Sequence, residues 1–96
     1  MTVTRDPLVS VVVPARNAAA TLERCLRSLL DLDYPRDRFE IIVADNGSTD
    51  GSRSILDRFG GQVRVVEQPR PGPAAARNAG IRAAEGTVIA LTDADC

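Results

Sequence analysis

The sequence predicts an α/β fold in which helices cover both faces of a parallel sheet. Apolar runs rich in β-branched residues alternate with segments of helical periodicity, in the order β-α-β-α-β-α-β. Polar clusters follow the strands, whereas the segments after the helices contain little beyond helix-terminating glycines. This alternation indicates right-handed crossover connections, and it places ligand-binding residues at the carboxyl ends of the strands.

The first strand is predicted over Leu8–Val13, a nearly continuous apolar run that is typical of a strand buried on both faces. Pro14 is expected to end it. The next helix is predicted from an apolar stripe with the spacing i, i+3, i+4, i+7, i+8. The members of the stripe are Leu22, Cys25, Leu26, Leu29 and Leu30. Because Cys25 belongs to the stripe, we interpret it as a core thiol.

The second strand is predicted over Phe39–Ala44, and the segment Asp45–Ser52 that follows is dense in turn-forming and helix-capping residues. A short helix should come next, since Ile55, Leu56 and Phe59 share one face. Gly60-Gly61 is expected to close this helix.

The third strand is predicted over Val63–Val66, and the prolines of Pro69–Pro73 exclude regular structure after it. Strong helix formers predict a helix over Ala74–Ala84, with Gly86 as its stop. Thr87–Leu91 is predicted as a fourth, buried strand. Since no repeat or linker interrupts the pattern, residues 1–96 are expected to form a single Rossmann-like domain.

Composition excludes several classes of function. The net charge of -1 provides no basic surface for nucleic acid. The chain contains no histidine and no lysine, which removes histidine-based triads, Walker-type lysines and Schiff-base lysines. No apolar run approaches the roughly 20 residues of a membrane-spanning helix, and the N-terminal segment lacks the apolar core of a signal peptide. We therefore expect a cytoplasmic location.

Three polar clusters are predicted to converge at one rim of the sheet. Arg16-Asn17 follows the first strand, Asp45–Asp50 the second, and Asp93 with Asp95 the fourth. Paired carboxylates at the end of a strand favour a site for a magnesium- or manganese-type ion, which keeps phosphate oxygens in its shell.

Two other ligand chemistries are disfavoured. The turn Pro14–Ala20 has no glycine that would admit a pyrophosphate against the backbone, as a dinucleotide-binding turn requires. A phosphatase nucleophile pair would follow the first strand, whereas Asp93 and Asp95 follow the fourth.

Four motifs, in this order, resemble family 2 glycosyltransferases of the GT-A fold. They are Val9-Ser-Val-Val-Val-Pro14 with Asn17, Ile42-Val-Ala-Asp-Asn-Gly-Ser-Thr-Asp-Gly51, Ala76-Arg-Asn-Ala-Gly80, and Leu91-Thr-Asp-Ala-Asp95. The resemblance covers nearly the whole chain from Val9. It implies the nucleotide-binding half of an enzyme that transfers a sugar from a nucleotide-sugar donor, usually with inversion.

The resemblance also implies roles for residues at the rim. Pro14, Ala15 and Arg16 would form the wall of the base and ribose pocket. Asp45 would accept a hydrogen bond from the base imide, as a uracil N3–H offers, which points to a UDP-sugar. The alternative for Asp45 is a turn aspartate, and Asn46 is interpreted as shaping the same turn.

The diphosphate end of the site has its own candidates. Arg77 would reach the diphosphate, or else pair with one of the aspartates and hold the fold. Asp93 would contact the ribose or a metal-bound water. Asp95 would coordinate Mn²⁺ or Mg²⁺ more directly, while Cys96 departs from the acidic residue common at that position.

No residue of this chain is predicted as the catalytic base. In the family that carboxylate comes after the D-x-D motif, in the acceptor-binding part, so we expect the acceptor site and any membrane attachment to come from further segments. Such segments would put the whole protein at the cytoplasmic face of a membrane. The alternatives are a non-catalytic nucleotide-binding or structural remnant and, with less support, a nucleotidyltransferase.

Overall fold

Four parallel strands form one sheet in the computed structural model, which describes residues 7–94. The strands are β1 (Val9–Ala15), β2 (Phe39–Asp45), β3 (Arg64–Glu67) and β4 (Val88–Leu91), and their order across the sheet is β3-β2-β1-β4. The connecting helices are α1 (Ala19–Leu30), α2 (Ser52–Phe59) and α3 (Pro73–Ala83). The predicted α/β class and element order are confirmed.

Helices cover both faces of the sheet, as predicted. On one face α1 and α2 pack against the inward side chains of β1 and β2, and Leu22 and Leu26 of α1 are fully buried there. On the other face α3 crosses β1 and β2, with Gly80 against Val12. Cys25 lies in the first of these two cores, which confirms its assignment as a core thiol.

The strand order reverses between β1 and β4. From β1 the chain proceeds outward to β2 and β3, and it then returns over α3 to the opposite side of β1. The two strands are paired up to Val12 of β1 and Leu91 of β4, and beyond this pair the Thr92 N–H donates to the Val12 carbonyl over 3.1 Å. A ligand crevice in a sheet of this kind is expected at this reversal.

Strand β1 continues through Pro14, contrary to the prediction that Pro14 ends it. Alternate residues of a parallel strand bond to alternate neighbours, and the Ala15 carbonyl accepts the Asn46 N–H on the β2 side. The missing N–H of Pro14 therefore faces the β4 side. Proline has no N–H with which to continue that ladder, and pairing of β1 with β4 extends only to Val12, while β1 stays paired with β2 up to Ala15.

Strand β4 is exposed, so the prediction that it is buried is wrong. Val88, Ile89 and Leu91 expose 47%, 41% and 52% of their surface. The strand lies at the edge of the sheet, and within residues 7–94 no helix packs extensively on it because α3 crosses β1 and β2 instead. An apolar run indicates a strand but does not reveal which of its faces are covered.

A polar cluster fastens the turn before β4 to the amino ends of the central strands. The buried Ser10 hydroxyl donates to Glu40 over 2.6 Å and accepts the Gly86 N–H over 2.8 Å. The Glu85 N–H donates to the same carboxylate over 2.7 Å. A β-carbon at Gly86 would lie 2.6 Å from the Leu8 carbonyl, so close approach of backbone requires this glycine.

Helix α3 begins one residue earlier than predicted, with Pro73 in its first turn, where a missing N–H costs nothing. Gly72 precedes it with a φ of 113°, a conformation that favours glycine. No helix within residues 7–94 has the length and apolarity needed to cross a membrane.

Candidate functional site

A crevice of about 440 Å³ opens at the carboxyl end of the sheet, where the strand order reverses. Its walls come from the loop after β1, the start of α1, the loop after β2, the start of α3 and the loop after β4. The lining residues are Pro14, Ala15, Arg16, Asn17, Ala18, Ala20, Thr21, Asn46, Gly72, Pro73, Ala76, Asp93 and Ala94. The structure thus brings Pro14, Ala15, Arg16 and Asp93 of the predicted site together.

The loop after β1 is fixed to the loop after β2 through Asn17. The Asn17 side-chain oxygen accepts the Thr49 N–H over 2.7 Å, and its own N–H donates to the Ser48 hydroxyl over 3.0 Å. Asn17 has a φ of 50°, in the left-handed region that asparagine tolerates better than most residues. Two walls of the crevice therefore form one hydrogen-bonded unit.

A single carboxylate connects the amino ends of α1 and α2. One oxygen of Asp50 accepts the Ala19 N–H over 3.1 Å, and the other accepts the Ser52 N–H and hydroxyl over 2.9 and 2.6 Å. The bonds from the Ser52 hydroxyl and N–H, followed by that from Ala19, lower the pKa of Asp50. The capping role inferred for Asp50 from the turn sequence is confirmed, and it extends to a second helix.

Asp45 lies at the end of β2, beneath the surface of the crevice. It is 3% exposed, and the Ser48 hydroxyl donates to its Oδ1 over 2.5 Å. Asp45 does not line the crevice, whereas the next residue, Asn46, does.

Asn46 holds the proline-rich loop in place with every polar atom of its side chain. Its Nδ2 donates to the Gln68 and Arg70 carbonyls, each over 2.8 Å, and its Oδ1 accepts the Gly72 N–H over 3.1 Å. The residue is 8% exposed. Sequence reasoning interpreted Asn46 only as a turn residue, since its partners are 22 to 26 positions away.

Asp93 and Arg77 meet at a second hollow of about 270 Å³, which shares Pro14 and Asp93 with the crevice. Both side chains are exposed, and within residues 7–94 neither forms an ion pair. The alternative in which Arg77 pairs with Asp93 is therefore not observed. Asp95, the second predicted metal ligand, lies outside the described residues, as does Cys96.

Two side chains of α1 hold the backbone of the Asp93 loop. The Thr21 hydroxyl donates to the Ala94 carbonyl over 2.9 Å, and the Cys25 thiol contacts the Asp93 carbonyl at 3.8 Å. Sequence reasoning did not connect these residues with the site. The only available signal was their position one helical turn apart on the core-facing side of α1.

The donor chemistry around Asp93 is compatible with a magnesium- or manganese-type ion. Such ions bind through one or two carboxylates and complete their shell with water and phosphate oxygens. In the described part of the chain no group of three or more His, Cys, Asp or Glu side chains could hold a metal by itself. The exposed Asp93 carboxylate could serve only together with ligands such as Asp95 and a diphosphate.

The sequence model for Glycosyl transferase family 2 matches residues 10–96. Among individual relatives, glycosyltransferase AglE of Haloferax volcanii is 36% identical over 94% of this chain, which spans 31% of that protein.

Solved structures show the same similarity. The mannosyltransferase PcManGT from Pyrobaculum calidifontis, in complex with GDP-Man and Mn²⁺, superposes with a TM-score of 0.88 at 39% identity, over 96% of this chain and 28% of that one. TarS of S. aureus in complex with UDP gives a TM-score of 0.84 at 31% identity, over 91% and 27% of the two chains. The chain thus spans less than a third of these proteins.

Proposed function

The chain belongs to glycosyl transferase family 2, and on this basis we propose that it binds the nucleotide-sugar donor of an enzyme that transfers a glycosyl group to an acceptor hydroxyl. The observation that carries the proposal is the crevice between the ends of β1 and β4, with an exposed carboxylate beside it and a guanidinium that pairs with no carboxylate within residues 7–94. A cation and a diphosphate would complement these two charges.

The two ends of the donor would occupy different parts of the site. Pro14, Ala15 and Arg16 form the wall that would receive the base and ribose. Arg77 lines the second hollow together with Asp93 and would direct its planar guanidinium at the diphosphate. The charge on Arg77 is available for this purpose, since within residues 7–94 no carboxylate neutralises it.

Asp93 and Asp95 are proposed to hold Mn²⁺ or Mg²⁺. When bound, the ion would neutralise negative charge on the departing nucleoside diphosphate. Asp93 itself would orient the ribose or a water in the ion's shell. The complex of PcManGT with GDP-Man and Mn²⁺ supports a divalent metal for a donor of this kind.

The preference for a uracil base and the role of Asp45 remain proposals. A uracil N3–H is a donor, so it would suit a carboxylate. The Asp45 carboxylate is buried and already accepts the Ser48 hydroxyl, so contact with a base would require the Ser48 turn to move. Asp45→Ala should weaken UDP binding if Asp45 contacts the base. Unchanged affinity would favour the alternative, in which Asp45 only stabilises the turn.

The remaining parts of the reaction are assigned by family resemblance. We propose transfer with inversion, which needs a general base at the acceptor hydroxyl, and we assign this base to none of the 96 residues. These residues are accordingly proposed to bind the donor and not to turn it over alone. We propose that the acceptor site and any attachment to the cytoplasmic face of a membrane come from segments other than these residues.

Calorimetric titration of the chain with UDP and GDP, with and without Mn²⁺, tests the donor site. We expect UDP to bind about tenfold more tightly with Mn²⁺, since the carboxylates would hold an ion that offsets the charge of the diphosphate. Asp93→Asn should abolish that difference. The control is Asp57→Asn, the same change at an exposed position on α2, which should preserve it.

Equal affinity with and without Mn²⁺ would contradict the metal site. Absence of binding of either nucleotide, in the presence of Mn²⁺, would contradict the donor-binding function itself. Stronger binding of GDP than of UDP would leave the site in place and overturn the preference for uracil.

A further inference from the structure

We propose that Thr21 is a positioning residue, which fixes the backbone of the Asp93 loop so that the aspartates meet the metal and the diphosphate. This inference rests on the donor-binding function proposed above. Thr21 itself would act through the loop and not through contact with the reacting atoms.

The contact that carries the inference crosses from α1 to the end of β4. The Thr21 hydroxyl donates to the Ala94 carbonyl over 2.9 Å, and these residues are 73 positions apart. A threonine hydroxyl in a helix usually bonds to a carbonyl of its own preceding turn. Here the Ala18 carbonyl is 3.5 Å away, so the bond to the loop is the shorter one.

The Ala94 carbonyl needs this bond because Ala94 is buried, whereas the carbonyl of an exposed residue could bond to water instead. Ala94 is 3% exposed and belongs to the core cluster beneath the crevice. Among the bonds described for residues 7–94, the one from Thr21 is the bond that its carbonyl accepts. A buried carbonyl without a donor is unfavourable because it has lost its water partners, so loss of the hydroxyl would favour a different loop conformation.

Cys25 supports the same loop one helical turn further along. Residues four apart lie on the same face of a helix, and the Cys25 thiol contacts the Asp93 carbonyl at 3.8 Å. Two successive peptide groups of the loop are thus held by one side of α1. The stronger bond comes from Thr21, because a thiol is a weak donor.

The arrangement fixes the backbone and leaves the carboxylate available. The Asp93 side chain is exposed and has no bond within residues 7–94, while the carbonyls of residues 93 and 94 are both held. A loop that is already ordered loses less conformational entropy when a ligand binds. Groups that orient metal ligands in this way affect metal affinity by about 10- to 100-fold.

The test compares Thr21→Val, which keeps the shape and removes the hydroxyl, with Thr21→Ser, which keeps the hydroxyl. Calorimetry would measure UDP affinity with and without Mn²⁺ for each variant of the chain. We expect Thr21→Val to reduce the gain from Mn²⁺ about tenfold and Thr21→Ser to retain it. Thr87→Val and Thr87→Ser provide matched controls, since the Thr87 hydroxyl bonds to the Leu8 carbonyl at the opposite end of the sheet.

A second readout needs neither metal nor nucleotide. Amide hydrogen exchange, followed by NMR, should become faster at Asp93 and Ala94 in Thr21→Val, and urea unfolding would show whether the whole fold is weakened instead. Equal metal-dependent affinity in the valine and serine variants, with wild-type binding intact, would overturn the role of Thr21 alone. Wild-type chain that binds no UDP with Mn²⁺ would overturn the donor-binding function, and the inference with it.

Discussion

Gly80 lies so close to Val12 that no β-carbon fits between α3 and the sheet. A β-carbon built at Gly80 would lie within 3.0 Å of Val12 Cγ1, a separation that real structures do not show. Val12 is fully buried in β1, between β2 and β4, so it has little room to move. The glycine thus sets the distance from α3 to the sheet, and with it the position of Arg77 on the same helix.

Gly80→Ala should therefore destabilise the chain, although alanine favours helix formation. Overpacking costs about 1–3 kcal/mol, which exceeds the gain of about 1 kcal/mol in helix propensity over most of its range. Urea unfolding measures the difference. Gly61→Ala is the control, because a β-carbon there meets no atom within 4 Å. An equal effect of the two substitutions would contradict the packing argument.

Asp50 should contribute to the stability of two helices at once. Asp50→Ala removes the acceptor for both Ala19 and Ser52 and should lower the thermal midpoint. Asp50→Asn retains one side-chain oxygen, so its midpoint should lie between those of the wild type and the alanine variant. The same two changes at the exposed Asp57 should have smaller effects. Identical midpoints for Asp50→Asn and Asp50→Ala would argue against the shared cap.

Acid should weaken the fold through Glu40. Partial burial raises the pKa of Glu40. The bonds from the Ser10 hydroxyl and the Glu85 N–H, together with the nearby Arg64, lower the pKa by more than burial raises it, so the net pKa is below the usual 4.5. A carboxylate with a lowered pKa stabilises the fold above pH 4.5. That stability is lost as the pH falls from 4.5 through the lower pKa of the folded state.

Glu40→Gln isolates this contribution. At pH 7 the variant should have a lower free energy of unfolding than the wild type. This difference should shrink as the pH is lowered below 4.5, because the wild-type carboxylate becomes protonated. Urea unfolding at a series of pH values provides the measurement, and Glu67→Gln on the exposed end of β3 is the control. A difference that stays constant down to pH 3 would exclude Glu40 as the source.

Asn46→Asp should loosen the proline-rich loop with no change in side-chain shape. The substitution replaces two donated bonds with a carboxylate oxygen that faces the Gln68 and Arg70 carbonyls. We expect a loss of about 1–3 kcal/mol in unfolding free energy and faster amide exchange at Arg70, whereas the Gly72 N–H keeps an oxygen acceptor. Asn78→Asp, on the exposed side of α3, is the control. Unchanged exchange at Arg70 would contradict the role of Asn46 in holding the proline-rich loop.

The elements of the fold could be predicted because each has a local signature. The stripe of α1 and the apolar runs of β1 and β2 follow from the periods of helix and strand, and the polar clusters indicated the rim at which the crevice lies. The continuation of β1 through Pro14 was not predictable, since it depends on where pairing with β4 stops. The exposure of Leu91 likewise depends on what covers β4, which its composition does not encode.

The supporting contacts of the site were missed for a related reason. Asn46 occurs in an Asp-Asn-Gly sequence that is typical of turns, and its partners lie in a loop that only the folded sheet brings near. Thr21 is an ordinary helix residue until β4 docks beside it. In both cases a local pattern identifies the turn or the helix, whereas the proposed supporting role depends on a carbonyl far away in the sequence.

The strand order also has a consequence for how this protein would fold. Strands β1, β2 and β3, with α1 and α2, lie next to their sequence neighbours and can assemble before β4 is synthesised. The crevice needs the pairing of Val12 with Leu91, which closes the longest loop in the sheet. Its formation would therefore be a late folding event. A nucleotide would bind only chains that have completed this step. Binding would therefore shift the folding equilibrium toward the complete fold by mass action.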